Sequence, residues 1–404
     1  MSLSRQKFLK TLGLGALGAG LAREPLLAAD QVAAAKEAAR RLKVTDVEIF
    51  LFDIPLVQPF RIAIGEMSSA TDLLIRIQTD RGITGLGEAC PFPPITGETQ
   101  ETNAAAAKAI RGQIVGRDPL AIESLLAEIG PFVHSNPSAV AAFDSAFYDI
   151  LGQVAGLPLF RLLGGDKTAF ETDITAGLDT PEVMARRAKE FVVRGYRTIK
   201  AKVGQDPDLD AARIRAIREA VGDGVGLRID ANQGWTVPQA IAALRMMAEF
   251  KVEFVEQPVV ASDIAGLRAV RQASPIPVMA DEACFLPADA LKLIRAEACD
   301  YFNIKLMKAG GIANAVKVAR VAEAANMRCM VGCMLESNVA LTAAAHVVAA
   351  CRNIVYADLD GNSEHTANPV LGGVTVKGGT MTLPEAPGLG CDVDPAFLKK
   401  LRKI

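Results

Sequence analysis

The sequence predicts an α/β protein built on an eight-stranded parallel (β/α) barrel, with a smaller α+β region ahead of it. Three observations carry this. Eight short β-rich segments recur between residues 172 and 360, separated by roughly 20 residues of helical pattern. No Gly-x-Gly-x-x-Gly follows an early strand, which argues against an open dinucleotide-binding sheet. The chain has 404 residues, 50% of them hydrophobic, enough for a barrel plus an accessory domain.

The elements follow in order. Arg5, Lys7 and Lys10 make a basic start. An apolar stretch from Thr11 to Ala22 and Leu-Leu-Ala-Ala at 26–29 come next. This pattern resembles a secretory leader over residues 1–30. Its start resembles a twin-arginine signal, except that Gln6 stands where the second Arg belongs. The expectation is export to the periplasm, or a cytoplasmic protein if the leader does not function. Residues 44–90 hold short apolar runs broken by Pro55, Pro59, Gly65, Gly82 and Gly87, and read as a small antiparallel sheet. Residues 101–155 are helical in pattern, with Ala-rich amphipathic stretches at Ala104–Ile114 and Ala139–Gln153. Gly-Leu-Pro at 156–158 and Leu-Leu-Gly-Gly at 162–165 mark a boundary.

The eight β-rich segments are Thr172–Gly177, Thr198–Val203, Leu227–Ala231, Glu253–Gln257, Pro277–Asp281, Tyr301–Leu306, Cys329–Met334 and Ile354–Asp360. Pro181–Val193 typifies the helices between them, with Pro at its start and Gly195 past its end. Strands alternating with helices need right-handed crossovers and hence a parallel sheet, and eight such units close into a barrel. After residue 360 the chain is Gly-rich and turn-like, and is expected to pack back on the N-terminal domain. The domains expected are 1–30 as leader, 43–160 as an α+β capping domain, 165–365 as the barrel, and 366–404 as the returning segment.

Composition excludes several classes. With 44 basic and 46 acidic residues, the formal net charge is −2, so no basic bias points to nucleic acid. One Trp and four Tyr give little stacking surface. Seven Cys, an odd number in a long chain, argue against a disulfide framework. Cys329 and Cys333 have no second Cys pair or His-rich segment to complete a structural zinc site. No segment after the leader has the eighteen consecutive apolar residues of a membrane span.

Catalytic groups of a barrel lie at the C-terminal ends of its strands. Asp230, Glu256 and Asp281 end the third, fourth and fifth segments. Neighbouring strands are about 4.8 Å apart, so three like charges would crowd together there. A hard divalent cation is the natural compensation, and oxygen-only ligands favour Mg²⁺. Lys200 and Lys202 are two apart on the second strand and share a face. Their mutual repulsion should lower the pKa of one, as a general base requires. Lys305, on the sixth segment, stands across the barrel. A substrate carboxylate on the metal acidifies its α-proton. One lysine could then remove that proton, and the other return one to the opposite face.

The stretches Thr-Ile-Lys-Ala-Lys-Val-Gly (198–204), Asp-Ala-Asn-Gln-Gly-Trp (230–235), Val-Glu-Gln-Pro (255–258), Met-Ala-Asp-Glu (279–282), Asn-Ile-Lys-Leu-Met-Lys-Ala-Gly-Gly-Ile (303–312) and Asp-Leu-Asp (358–360) resemble the enolase superfamily, in its muconate-lactonizing subgroup. More narrowly they resemble the dipeptide epimerases typified by L-Ala-D/L-Glu epimerase. The resemblance runs from about residue 44 to the C-terminus. It implies a modified (β/α)7β barrel under an α+β cap. It also implies an isomerase that performs a 1,1-proton transfer at the α-carbon of a dipeptide's second residue, through a metal-stabilised enediolate. Asp230, Glu256 and Asp281 would bind Mg²⁺, and Lys202 and Lys305 would be the acid/base pair. Lys200 would contact the substrate carboxylate and tune Lys202. Asp358 and Asp360 would hold the first residue's ammonium group, with Thr175, Cys333 and Leu335 at further substrate contacts.

The alternative within the subgroup is a cycloisomerase or an o-succinylbenzoate synthase-like enzyme, which the Asp-x-Asp of 358–360 disfavours. An exported dipeptide-binding protein without catalysis is a reading from another class, opposed by the intact lysines and acids. Cap loops in such enzymes choose the second residue's side chain. Here Phe60–Glu66 and Pro94–Gly97 occupy them. Gly65 stands where Ala-Glu epimerases carry an Arg. That leaves open whether Arg61 replaces it or Glu66 favours a cationic residue. His365 follows the eighth strand and is either a solvated loop residue or part of the pocket wall. Family members are often oligomeric, though the sequence shows no interface signature.

Overall fold

A long antiparallel hairpin opens the described part of the chain, which in this computed structural model comprises residues 41–404. The expected leader lies outside the described residues. Strands β1 (Val44–Ile62), β2 (Gly65–Thr79) and β3 (Thr84–Ala89) pair antiparallel in that order. The sequence suggests short runs here, whereas β1 and β2 are 19 and 15 residues long. Pro55 and Pro59 do not end β1, because its pairing with β2 shifts register between Pro55 and Phe60. A proline at such an irregularity forfeits no ladder hydrogen bond. Helices α1 (Gln100–Ile114), α2 (Ile122–Phe132) and α3 (Pro137–Ala155) cover the sheet. Ile49, Ile75 and Ile77 of the strands are buried against Ile110, Phe143 and Phe147 of the helices.

The barrel follows a short strand, β4 (Ala169–Glu171). Its strands are β5 (Ile174–Ala176), β6 (Thr198–Lys202), β7 (Gly226–Asp230), β8 (Val255–Glu256), β9 (Val278–Ala280), β10 (Tyr301–Lys305), β11 (Arg328–Gly332) and β12 (Ile354–Asp358). They pair parallel in sequence order, so each of the eight expected segments contributes a strand. Seven helical crossovers join them: α4 (Pro181–Val193), α5 (Pro207–Val221), α6 (Val237–Met246), α7 (Ile264–Ala273), α8 (Pro287–Ala296), α9 (Ile312–Ala324) and α10 (Asn338–Ala350). Among the described residues no eighth crossover helix follows β12, only the short Pro395–Leu398 turn of helix far along the returning chain, giving the (β/α)7β form. The first and last strands are stitched rather than laddered: Asp173 N–H donates to Ala357 O at 3.2 Å and Leu359 N–H to Thr172 Oγ1 at 2.9 Å.

Strand alternation sorts the side chains. Ile199, Ala201, Leu227, Ile229, Ile304 and Val331 are buried toward the helices, against residues such as Met184, Ala188, Ile214 and Ile217. Phe254, Met279 and Met330 fill the barrel floor with Tyr301 and Tyr356 beside them. The Arg228 guanidinium lies 4.8 Å from the Tyr356 ring centroid and bonds Asp173 at 2.7 Å and Glu253 at 2.9 Å.

Past residue 360 the chain weaves between cap and barrel. His365 bridges Leu56. Strand β13 (Val370–Gly372) pairs with β16 (Cys391–Val393), while β14 (Thr375–Lys377) and β15 (Thr380–Thr382) extend to β4. Strand β17 (Arg402–Lys403) joins the outer edge of β1. Two buried carboxyl groups fasten the cap to barrel helices by accepting the free N–H groups of helix N-termini. Glu88 accepts from Ser337 N and Oγ, both at 2.7 Å, and from Ala340 N at 2.9 Å, at the start of α10. Asp144 accepts from Ile312 N and Ala313 N at the start of α9. Among the described residues no helix is long and apolar enough to cross a membrane. All seven cysteines are free thiols.

Candidate active site

Register builds the barrel mouth. On β6, Lys200 and Lys202 turn inward while Ile199 and Ala201 turn out. Parallel pairing sets Lys202 level with Asp230, Asp230 level with Glu256, and Lys305 level with Gly332, itself level with Asp358. Asp281 follows directly on β9. Lys202 Nζ donates to Asp230 Oδ2 at 2.6 Å, and Lys305 Nζ lies 3.0 Å from Asp281 Oδ2. Lys200 Nζ sits among three carboxylates, 3.0 Å from Asp230, 2.8 Å from Glu256 and 2.7 Å from Asp358. All three acids of the set are fully buried.

A narrow cleft opens above them. Lys200, Lys202, Lys305, Thr175, Cys333, Leu335, Asp358 and Asp360 line it, together with Phe60, Ile62, Phe92, Ile95, Asn232 and Met334. The structure therefore brings every sequence-nominated lysine and substrate contact to one cleft. Asp230, Glu256 and Asp281 lie beneath its surface. Asp360 is held by Thr175 N–H, 2.6 Å from its Oδ2. His365 does not line the cleft; its Nε2 lies 3.0 Å from Leu335 O, where it braces the loop that carries Leu335.

The acids suit a hard cation by their donor chemistry. Among the described residues no three acid, imidazole or thiol groups converge as a metal cage, because lysine ammonium groups stand between them. Yet Glu256 Oε2 and both Asp281 oxygens are buried without a hydrogen bond, despite these nearby ammonium nitrogens. Three all-oxygen side chains, two of them with buried oxygens that lack a hydrogen bond, fit Mg²⁺.

Repulsion between Lys200 and Lys202 does not lower Lys200: burial opposes its charge, but Asp358, Glu256, Asp230 and Asp173 outweigh burial and hold its pKa well above the ordinary value. Burial likewise opposes the charge on Lys305, and Asp281 and Glu256 raise its pKa. The acids divide. Burial and the neighbouring Asp230 push Glu256 up to about 8. Burial also acts against ionised Asp230, Asp281 and Asp358, yet their pKa values are lowered by Lys202, by Lys305 and by Lys200 respectively. Burial and Asp358 raise Asp360 to about 6. At Lys200 and Lys305 the neighbouring carboxylates outweigh burial.

Sequence reasoning missed four supporting groups. Asn303 Nδ2 donates to Glu256 Oε1 at 2.6 Å. It reaches across because Gly332 lacks a Cβ, which would stand 2.7 Å from Asn303 Oδ1. Lys308, buried on the turn after β10, pairs with Asp281 Oδ1 and donates to three backbone carbonyls. Asn232 lines the cleft and donates to the buried Glu282 at 3.2 Å. Asn303 carried a signal, since it shares the inward face with Lys305 two residues on. Lys308, Asn232 and Glu282 lie past strand ends, where no periodicity marks direction.

Known proteins resemble this chain in sequence and fold. A family model described as "Enolase C-terminal domain-like" matches residues 183–397, and one described as "Mandelate racemase / muconate lactonizing enzyme, N-terminal domain" matches residues 45–164. The chain is 44% identical over 352 residues to an L-Ala-D/L-Glu epimerase of Clostridium acetobutylicum, covering 86% of this chain and 98% of that one. A dipeptide epimerase from Cytophaga hutchinsonii, solved with Mg and the dipeptide D-Ala-L-Val, superposes with a TM-score of 0.88 at 40% identity, covering 90% of this chain and 99% of the other. A dipeptide epimerase from Enterococcus faecalis, solved with Mg and L-Leu-L-Tyr, gives a TM-score of 0.84 at 42% identity, covering 87% and 99%.

Proposed function

The chain belongs to the enolase superfamily, in its mandelate racemase/muconate lactonizing branch, and on that premise we propose that it is a Mg²⁺-dependent dipeptide epimerase. The reaction is a 1,1-proton transfer at the α-carbon of the second residue. The observation that carries this reading is the disposition of Lys202 and Lys305. They stand on β6 and β10, four strands apart in an eight-stranded barrel, and both line one cleft.

Asp230, Glu256 and Asp281 would hold the Mg²⁺, which when bound supplies positive charge that stabilises the substrate carboxylate as its α-proton leaves. Lys202 and Lys305 face the α-carbon from opposite sides. For one epimer Lys202 takes the proton and Lys305 delivers one; for the other the roles exchange. Lys200 orients the substrate carboxylate from the cleft floor. Asp358 and Asp360 receive the ammonium group of the first residue. Asp358 Oδ1 is buried without a hydrogen-bond partner, an acceptor suited to that cation. A substrate with no ammonium group would leave this oxygen unsatisfied, which favours a dipeptide over a lactone or cyclic acid.

Export is part of the same reading. The basic start and apolar run of residues 5–22 support it. The check is the N-terminal sequence of the protein recovered from periplasm; an uncleaved leader on purely cytoplasmic protein would remove this element alone.

The activity is tested by incubating Mg²⁺-loaded protein with L,L-dipeptides in D₂O. Epimerisation places one deuterium at the second α-carbon, and chelation should stop it. No mass gain on any dipeptide, from folded and metal-loaded protein, would sink the proposal.

A further inference from the structure

We infer that the second-residue pocket takes an apolar side chain, and that neither Arg61 nor Glu66 recognises a charged one. This rests on the dipeptide epimerase reading and narrows it.

The wall beside Lys202 is continuous and apolar. Ile62, Phe92, Met334 and Leu335 belong to one buried cluster, with Phe60 and Ile95 packed against it, and all six line the cleft. The wall lies next to the reacting carbon rather than at the ammonium end, because the Phe60 ring centroid is 5.8 Å from Lys202 Nζ. A side chain on the α-carbon between Lys202 and Lys305 therefore meets Phe60 and Ile62 first.

The charged residues of the same hairpin are turned away. On β1, Phe60 and Ile62 point into the cleft, and period-two alternation puts Arg61 on the opposite face. Arg61 and Glu66 are direct cross-strand partners and form a 2.5 Å ion pair, with about half of each side chain exposed (53% and 49%). They line a surface groove with Asp179 and Arg213 on the other side of Ile62, which borders both it and the cleft. Each satisfies the other, so neither is offered to a substrate. At the hairpin tip, a Cβ on Gly65 would stand 3.1 Å from Pro94 Cγ, so the Pro94 loop closes the place from which a longer residue could reach in. An anionic or cationic substrate side chain would be stripped of water against hydrocarbon with no partner.

The test is kcat/KM by α-proton exchange for L-Ala-L-X, with X as Leu, Val, Ala, Glu or Lys. Leu and Val are expected to exceed Glu and Lys by about 100-fold. Phe60→Ala should lower the Leu peptide about tenfold or more, yet move the Ala peptide by less than about threefold, since the small side chain does not reach the ring. Arg61→Ala should leave every peptide within about twofold. Glu or Lys turned over as well as Leu, or a selective loss of a charged peptide in Arg61→Ala, overturns the inference and leaves the epimerase reading intact. Exchange on no dipeptide at all overturns both.

Discussion

Each lysine of the barrel mouth is defined by the acid it faces, and this gives the lysines separable effects. Lys202 donates to Asp230 on one side of the cleft and Lys305 approaches Asp281 on the other. If each serves one face of the α-carbon, replacing either stops epimerisation but not all exchange. Lys202→Ala and Lys305→Ala should each reduce epimerisation by about 10²–10⁴. Each should still exchange the α-proton of one dipeptide isomer, and the two variants should retain opposite isomers. Proton NMR in D₂O with both isomers decides this. A variant that keeps full epimerisation, or two variants that keep the same isomer, would refute the two-face assignment. Lys308 behaves differently, being a buried cation held by three carbonyls and Asp281. Lys308→Met should cost about 3–5 kcal/mol of stability by stranding its partners, read as a shift in urea midpoint. Lys200 and Lys202 are legible as one inward face from period-two spacing, and Lys305 from its strand's place in the barrel; the same spacing from Lys305 marks Asn303, which was missed. Lys308 is not legible, because a turn separates it from the strand and its direction comes from tertiary contacts.

Among the elements, α10 joins the barrel to the returning chain through one imidazole. Every residue of α10 is buried. His346 stacks on Phe160 with centroids 5.8 Å apart, accepts the Phe160 N–H at Nδ1 at 3.1 Å, and lies 3.2 Å from Leu389 O through Nε2. These roles suit a neutral ring protonated at Nε2. Burial lowers its pKa from 6.5 to about 4, and the Leu389 carbonyl offsets only part of that. The unfolded chain therefore binds the proton first as pH falls. Stability present above pH 6.5 is lost between pH 6.5 and 4, by up to about 3 kcal/mol at about 1.4 kcal/mol per unit. Asp144 acts oppositely: burial raises it to about 8, so its term favours folding as pH falls from 8 toward 4. The two are separated by comparison. Thermal melts of the parent and His346→Phe across pH 7 to 4 should diverge, with the variant losing less on acidification; parallel curves would show that His346 titrates normally. The sequence showed α10 only as another crossover, since nothing in a run of apolar residues tells which polar side chain finds buried partners.

Across the whole molecule, legibility followed the range of the interactions. The barrel could be read because each β/α unit repeats a local rhythm and each proposed catalytic lysine ends a strand. The cap's two long strands were read as short runs, because the prolines in β1 look like breaks until the register shift beside them is seen. The return of the C-terminal segment to the cap was expected, but not the strand pairing that makes the final tie. Residues 402–403 pair with β1 at Leu51 and Phe50, Lys403 Nζ lies 2.7 Å from Glu48, and Ile404 N–H donates to Ile49 O at 2.9 Å. No local pattern announces a pairing across some 350 residues; it exists because β1 would otherwise offer an unpaired edge. The same strand carries Phe60 into the cleft, ten residues and roughly 33 Å further on. Deleting residues 402–404 should therefore lower stability by about 1–3 kcal/mol and increase aggregation, while KM for an apolar dipeptide moves less than about twofold, because the register shift between Pro55 and Phe60 separates the two ends of β1 mechanically. Melting temperature and KM measured on the same truncated protein settle it. A large rise in KM from protein that is still folded would mean that the C-terminus sets the position of Phe60 through the whole length of the strand.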